Sequence, residues 1–368
     1  MSEAEQFSSI AHLDGLRSLG FDEVRLASVD AALVQRYEIA RVVAVHKERY
    51  LVSQGQGDMS AELAGKSVYA AGSPLDYPTV GDWVWCALHD ERSFAVVHGV
   101  LSRRTLLKRK TPGKQVDFQL IGANIDVALI VQSLDENFNL RRLERYLVMI
   151  HEGGIRPIIL LSKSDLLEPE EIAVRIGEIE LILPDIPVRP FSSETEAGLQ
   201  VVRQLLEAGK TYCLLGSSGV GKTTLLNHLL GEGRFETQAV REKDSRGRHT
   251  TTHRQLTLLA GGAMVVDTPG MRELGSLAIE AGVDETFAEI AELAQRCRFN
   301  DCTHRVEKGC AVLEAREEGR LSEARYQNYL KMQKEAAHHE MSYQEKRRRS
   351  RQQGRFYKSV LKAKKNRH

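Results

Sequence analysis

The sequence predicts a multi-domain chain: a small β-barrel, a parallel α/β domain, and a helical module built on a metal site. Three observations carry that prediction. Short β-rich runs separated by turn signals fill residues 37–110. Strand–helix alternation follows from Asn124. Three of the five cysteines then cluster late, with a histidine among them. The expected parts are an N-terminal extension (1–35), an oligonucleotide-binding-type (OB) barrel (36–110), an α/β nucleotide domain (111–275), a zinc-binding helical domain (276–340) and a basic tail (341–368).

The 368 residues allow several cores, and 42% hydrophobic with 27% charged residues is ordinary for a globular chain. Met1–Gln6 is acidic and lacks an apolar signal core. No apolar run approaches the roughly 20 residues that span a bilayer. A cytoplasmic monomer without membrane contact is the expectation. An odd cysteine count argues against a disulfide framework.

Residues 1–35 read as a partly helical, acidic lead-in that carries no chemistry. Ile39–Val45, Arg49–Val52, Asp82–Leu88 and Phe94–Val97 read as strands, with turns at Gly55-Gln-Gly57, Gly72-Ser-Pro74, Gly81-Asp82 and His89-Asp90. Arg103-Arg104 and Lys108-Arg-Lys110 give the barrel a basic edge suited to RNA phosphates. Beyond it, Asp126–Val131, Pro157–Leu161 and Val188–Phe191 read as strands. Leu140–Leu147, Glu168–Ile179 and Gly198–Leu206 read as helices. Gln255–Leu259 and Ala263–Val266 complete a parallel sheet with covering helices.

Within that domain, Gly216-Ser217-Ser218-Gly219-Val220-Gly221-Lys222-Thr223-Thr224 matches G-x-x-x-x-G-K-[ST] at every defined position. Thr211–Leu215 before it reads as a buried strand, and Thr224–Leu230 after it as a helix capped by Gly231. Glycines let backbone N–H groups wrap phosphate oxygens, and the helix N-terminus adds positive potential. Lys222 would reach the β/γ-phosphates, and the Thr223 hydroxyl would ligate Mg²⁺. A nucleoside triphosphate is the implied ligand.

Other strand ends select the base. Ser162-Lys163-Ser164-Asp165 is similar to the guanine-reading N-K-x-D, with Asp165 accepting from N1–H and the exocyclic amine and the Lys163 stem lying against the ring. Ser192-Ser193 fits the loop that meets the guanine carbonyl oxygen. Asp267-Thr-Pro-Gly270 has the D-x-x-G placement, where Asp267 holds Mg²⁺ through water and the Gly270 N–H senses the γ-phosphate. The base-reading elements precede the phosphate loop, the reverse of small GTPases, so the domain reads as a circularly permuted GTPase domain.

With those motifs in place, the chain resembles the circularly permuted GTPases that depend on the small ribosomal subunit, the RsgA (YjeQ) family. Pro78-Thr-Val-Gly-Asp-Trp-Val84 resembles that family's barrel motif, and Gly247-Arg-His-Thr-Thr-Thr-His253 its first switch. Cys297-Arg-Phe-Asn-Asp-Cys302-Thr-His304 through Cys310 resembles its zinc knuckle. The resemblance implies a GTPase converting GTP to GDP, activated by the small (30S) subunit in its late maturation, with 16S rRNA contacts. Two positions depart from the pattern. Ser162 replaces Asn, which would weaken the tie between base loop and phosphate loop, and Lys308 replaces the proline before the knuckle glycine.

Cys297, Cys302, His304 and Cys310 also read as a metal set on their own chemistry. Three thiolates and one imidazole suit a closed, structural, tetrahedral Zn²⁺. Cys86 and Cys213 lie in apolar strands and read as core. Residues 317–336 read as a charged helix, and the stretch from Lys346 to Arg367 as a basic arm for RNA phosphates. One hydroxyl among Thr250, Thr251 and Thr252 would complete the Mg²⁺ shell, with Thr251 favoured. Met271 stands where Ras-like enzymes carry the water-orienting Gln. His249 and His253 flank the threonines, and the resemblance points to His249 as the catalytic residue that places the water.

Overall fold

A computed structural model describes residues 12–46, 49–65, 72–110, 118–231, 254–267 and 280–335. The chain forms two compact units, divided near residue 275 apart from a short insertion at 110–117. Among the described residues, no helix is long and apolar enough to cross a membrane.

The first unit opens with three short helices, α1 (Leu13–Ser18), α2 (Glu23–Ala27) and α3 (Ala31–Val34). Asp22 and Asp30 cap the second and third, each accepting a backbone N–H from the first turn. This segment is helical in part, as expected, and it also joins the core. Leu16, Leu19, Phe21 and Leu26 are buried, and the Phe21 ring meets Trp83 edge-on at 4.8 Å.

Five strands close the barrel: β1 (Glu38–His46), β2 (Arg49–Ser53), β3 (Asp58–Leu63), β4 (Trp83–His89) and β5 (Phe94–Val100). Each pairs with the next around the ring β1-β2-β3-β5-β4, and β4 returns to β1. All pairs are antiparallel except β3 with β5. Alternate side chains from Ala40, Val42, Val52, Ala61, Val84, Cys86, Ala95 and Val97 fill the interior.

A β-ribbon, β6 (Leu106–Lys110) and β7 (Phe118–Ala123), leads into the α/β part. There β8 (Val127–Ser133), α4 (Leu140–Glu152), β9 (Arg156–Ser162), α5 (Pro169–Ile182), β10 (Val188–Pro190), α6 (Leu199–Gln204), β11 (Thr211–Leu215), α7 (Lys222–Leu230), β12 (Arg254–Leu258) and β13 (Met264–Asp267) follow in order. The sheet runs β10-β9-β8-β11-β13-β12, parallel until β12 turns antiparallel. Its central strands are apolar on both faces because helices cover both, as parallel sheets require. β12 then pairs with β1, Ala44 opposite Gln255, so barrel and α/β sheet share one continuous ladder.

Arg41 on β1 sits at that junction, fully buried. Its guanidinium donates to Thr211 Oγ1 at 2.8 Å, to the Leu19 carbonyl, and at 3.4 Å to the Asn124 and Gly81 carbonyls. It also lies over the Trp83 ring. Burial lowers its pKa to about 10, still far above neutrality, so the charge persists at the junction.

Much of the expected basic edge of the barrel is paired within the chain. Arg103 grips the buried Asp82 carboxylate with two bonds, at 2.8 and 2.7 Å, and donates to the Leu75 and Tyr77 carbonyls. Arg104 pairs with Asp22, Lys108 with Glu152, and Arg109 donates to Gln119. Asp82, Asp22 and Glu152 each lie 21 residues or more from their basic partners along the chain.

The second unit contains α8 (Glu280–Thr286), α9 (Ala288–Ala294), α10 (Ala311–Glu317) and a helix over 323–335. Val283, Phe287, Ile290, Val312, Tyr326, Tyr329 and Met332 are its core. The helix expected over 317–336 runs instead over 323–335, after α10 has ended at Glu317. Gly319 at φ +76° ends α10, and Ser322 caps the later helix by accepting the Arg325 N–H.

Candidate nucleotide site and metal centre

The phosphate loop spans the turn from β11 into α7. Gly216 takes φ +150°, and a Cβ there would lie 2.3 Å from the Val131 carbonyl oxygen. Only glycine lets the loop leave the sheet so tightly. Gly219 and Gly221 are left-handed at φ +80° and +87°. Val220 between them is buried and anchors the loop to the core. Ser218, Gly219 and Thr223 are exposed around the cradle, and Thr224 is half-buried. Lys222 folds back onto its own loop, donating to the Gly216 and Ser217 carbonyls at 2.7 and 2.6 Å. The Ser217 hydroxyl is buried without a hydrogen-bond partner among the described residues. A polyanion in the cradle would engage both groups.

The residues expected to read the base stand at the ends of β9 and β10, beside the phosphate loop across β8 and β11. Ligands of open α/β sheets bind at such carboxyl ends. Ser162 is buried, and its hydroxyl donates to the Val220 carbonyl at 2.8 Å. The serine thus makes the tie between base loop and phosphate loop that its shorter side chain put in question. Lys163 takes a left-handed φ of +59°, which turns the chain so that Ser164 and Asp165 follow in a short 3₁₀ turn. Ser192 donates to the Asp165 carboxylate and accepts the Glu194 and Thr195 N–H groups at 3.1 and 3.2 Å. Ser193 is half-buried next to it.

Asp135 has no counterpart in the sequence reading. It lies in the loop after β8, and its carboxylate holds Lys163 Nζ at 2.7 Å. Burial opposes its ionisation. The Lys163 ammonium, the Ser133 hydroxyl and the Asn137 N–H outweigh that and hold the carboxyl down at about 2. The lysine stem is thereby clamped at both ends. A polar loop after the first strand of the domain was the available signal, but it named no partner.

Asp267 ends β13, its backbone paired with Gln255 on β12. Gly270, Met271 and the first switch, with His249, Thr250, Thr251, Thr252 and His253, lie outside the described residues, as does the basic tail.

In the second unit, Cys297, Cys302, His304 and Cys310 converge, with their ligand atoms all within 4.8 Å of one another. Thiolates about 2.3 Å from a tetrahedral Zn²⁺ lie about 3.8 Å apart. Cys297 and Cys310 Sγ are 3.8 Å apart, and His304 Nδ1 is 3.6 and 3.4 Å from them. The set therefore fits a metal such as zinc. Burial lowers the His304 pKa, favouring the neutral imidazole a metal needs. The loop is braced from outside. The Glu307 carboxylate accepts the Thr303, Arg305 and Val306 N–H groups, and the Tyr326 hydroxyl donates to the His304 carbonyl at 2.6 Å.

Residues 100–277 match the family model described as RsgA GTPase. The chain is 42% identical over 306 residues to the small ribosomal subunit biogenesis GTPase RsgA 2 of Lactiplantibacillus plantarum, covering 83% of this chain and 84% of that one. It is 39% identical over 332 residues to the small ribosomal subunit biogenesis GTPase RsgA of Opitutus terrae, covering 88% and 90%. Among solved structures, YjeQ from Thermotoga maritima superimposes with a TM-score of 0.61 at 27% identity, over 81% of this chain and 98% of that one. YloQ, a circularly permuted GTPase, shares the fold at a TM-score of 0.59 and 23% identity, over 82% and 96%. The order of motifs along the sheet, the phosphate loop and these relatives agree: the chain belongs to the RsgA family of circularly permuted GTPases.

Proposed function

We propose that this GTPase hydrolyses GTP to GDP and phosphate under stimulation by the small ribosomal subunit, and acts in late maturation of that subunit through 16S rRNA. The observation that carries the reading is the hydrogen bond from Ser162 to Val220, which joins a guanine-selecting loop to a phosphate loop. Asp165, oriented by Ser192, accepts from the guanine N1–H and amine, a donor pair adenine lacks. Ser164 and Ser193 line the base, and the clamped Lys163 stem supports its plane. The N–H groups of 216–224 and the Lys222 ammonium take the phosphates, neutralising charge that grows on the leaving oxygen.

Thr223, Thr251 and Asp267 would hold Mg²⁺, which would draw off charge from the phosphate oxygens. His249 orients the attacking water, since Met271 has only a weak thioether acceptor. Gly270 senses the γ-phosphate. The barrel (36–110), the zinc knuckle (276–340) with one structural Zn²⁺, and the basic tail (341–368) supply the subunit contacts to the GTPase domain (111–275), while residues 12–35 brace the barrel. The chain works as a cytoplasmic monomer.

Cosedimentation with purified small subunits tests the reading. Binding should be strongest with a non-hydrolysable GTP analogue and weaker with GDP. Equal binding in all nucleotide states would contradict it.

A further inference from the structure

The helix after the base loop breaks the pattern of its neighbours. α4 turns its apolar residues inward, burying Leu143, Tyr146, Leu147 and Ile150. α5 is apolar on two opposite faces. Ile172, Ile176 and Ile179 pack on the sheet. Val174 and Leu181, seven residues apart and so on one line of the helix, point the other way and are 62% and 85% exposed.

The helix and its flanks are predominantly acidic, with Glu168 and Glu171 closing the capping box at its start. Residues 168–185 carry Glu168, Glu170, Glu171, Glu178, Glu180 and Asp185 against Arg175 alone. Arg175 is already paired with Glu178 and stacked over Phe138. The last turn of α5 has no basic residue, so Glu178 and Glu180 face the negative end of the helix dipole. Exposed apolar residues and dipole-opposed carboxylates are both locally unfavourable; Arg175 offsets Glu178, whereas Glu180 forms no ion pair among the described residues. Such departures mark surfaces selected for something other than stability.

We propose that the outward face of α5 is a docking surface for a basic, partly apolar protein segment of the small ribosomal subunit. The partner's chemistry follows from the charge. The acidic excess on and beside this face repels phosphate backbones, so it does not share the rRNA contacts assigned to other parts of the chain. Lysine and arginine side chains complement the rim, and their aliphatic neighbours cover Val174 and Leu181. Only the location of the segment on the subunit rests on the proposed function. Leu166, 56% exposed and directly after Asp165, extends the surface to the base loop, so occupancy of α5 would touch the guanine site.

The test places a photo-crosslinking amino acid at position 181, at 174, and, as a control, at the exposed position 141 of α4, each in the full chain. Labelled protein is bound to small subunits and irradiated, and the adducts are digested with protease or nuclease. Protease-sensitive adducts at 181 and 174 but not 141, reduced about fivefold or more by E170K/E180K, support the proposal. Nuclease-sensitive adducts, or none from protein that still cosediments and shows stimulated turnover, overturn it. Failure of the same protein to cosediment would contradict the subunit reading itself and is scored separately.

Discussion

Removing the Arg103 guanidinium separates internal wiring from an RNA-binding rim. Asp82 is fully buried, and among the described residues Arg103 is its only charged partner in direct contact, with the Thr79 N–H the other donor. Burial already raises the Asp82 pKa against the pull of Arg103. Arg103→Ala therefore leaves a buried carboxylate uncompensated, a change that costs about 3–5 kcal/mol. The Leu75 and Tyr77 carbonyls also lose their donor. At roughly 2–4 °C per kcal/mol for a unit of this size, thermal unfolding should fall by about 6–20 °C. The double variant Asp82→Asn with Arg103→Met removes both charges and should recover part of that loss. Circular dichroism melts of the full chain measure both. An Arg103→Ala protein that melts like wild type, but loses about one unit of salt slope in RNA binding, would refute the reasoning and restore the rim.

Other outcomes follow from the site. Ser162→Ala leaves the Val220 carbonyl without its donor, costing about 1–3 kcal/mol of loop order, so GTP affinity by fluorescent-nucleotide titration should drop about 5–150-fold. Asp165→Asn should weaken GTP and favour xanthosine triphosphate, whose ring presents a carbonyl where guanine presents its amine; unchanged preference would reassign the base loop. Asp135→Asn should loosen Lys163. Because the folded pKa of Asp135 is depressed to about 2, its contribution is complete above about pH 4 and is lost as pH falls through 2, so the variant's acid-unfolding curve should converge with wild type there. Cys302→Ser should abolish zinc content near one equivalent by atomic emission and unfold the knuckle, while nucleotide binding persists.

What could be read from the sequence was what lies close along the chain. The phosphate loop, its strand and helix, and the four metal ligands each fall within a short window, so residue type and spacing suffice. The barrel was visible as β-rich runs, yet β3 escaped. Asp58-Met-Ser-Ala-Glu-Leu63 alternates exposed and buried correctly but lacks the branched and aromatic residues that mark strands. The place of the lead-in helices in the core was not legible because Phe21 meets Trp83 only through the fold. Asp82 with Arg103, and Asp135 with Lys163, are long-range pairs whose members look like solvated charges in isolation. Periodicity reports which face is buried; it cannot report what a buried charge touches.

The central claim is GTP hydrolysis controlled by the small subunit, and steady-state phosphate release tests it most directly. Wild-type chain should turn over GTP slowly alone and many-fold faster with purified small subunits, but not with large subunits. His249→Ala should keep GTP and subunit binding while losing most of the stimulation, and Lys222→Ala should lose turnover in either condition. A rate that is indifferent to small subunits, or stimulation that survives Lys222→Ala, would contradict the account.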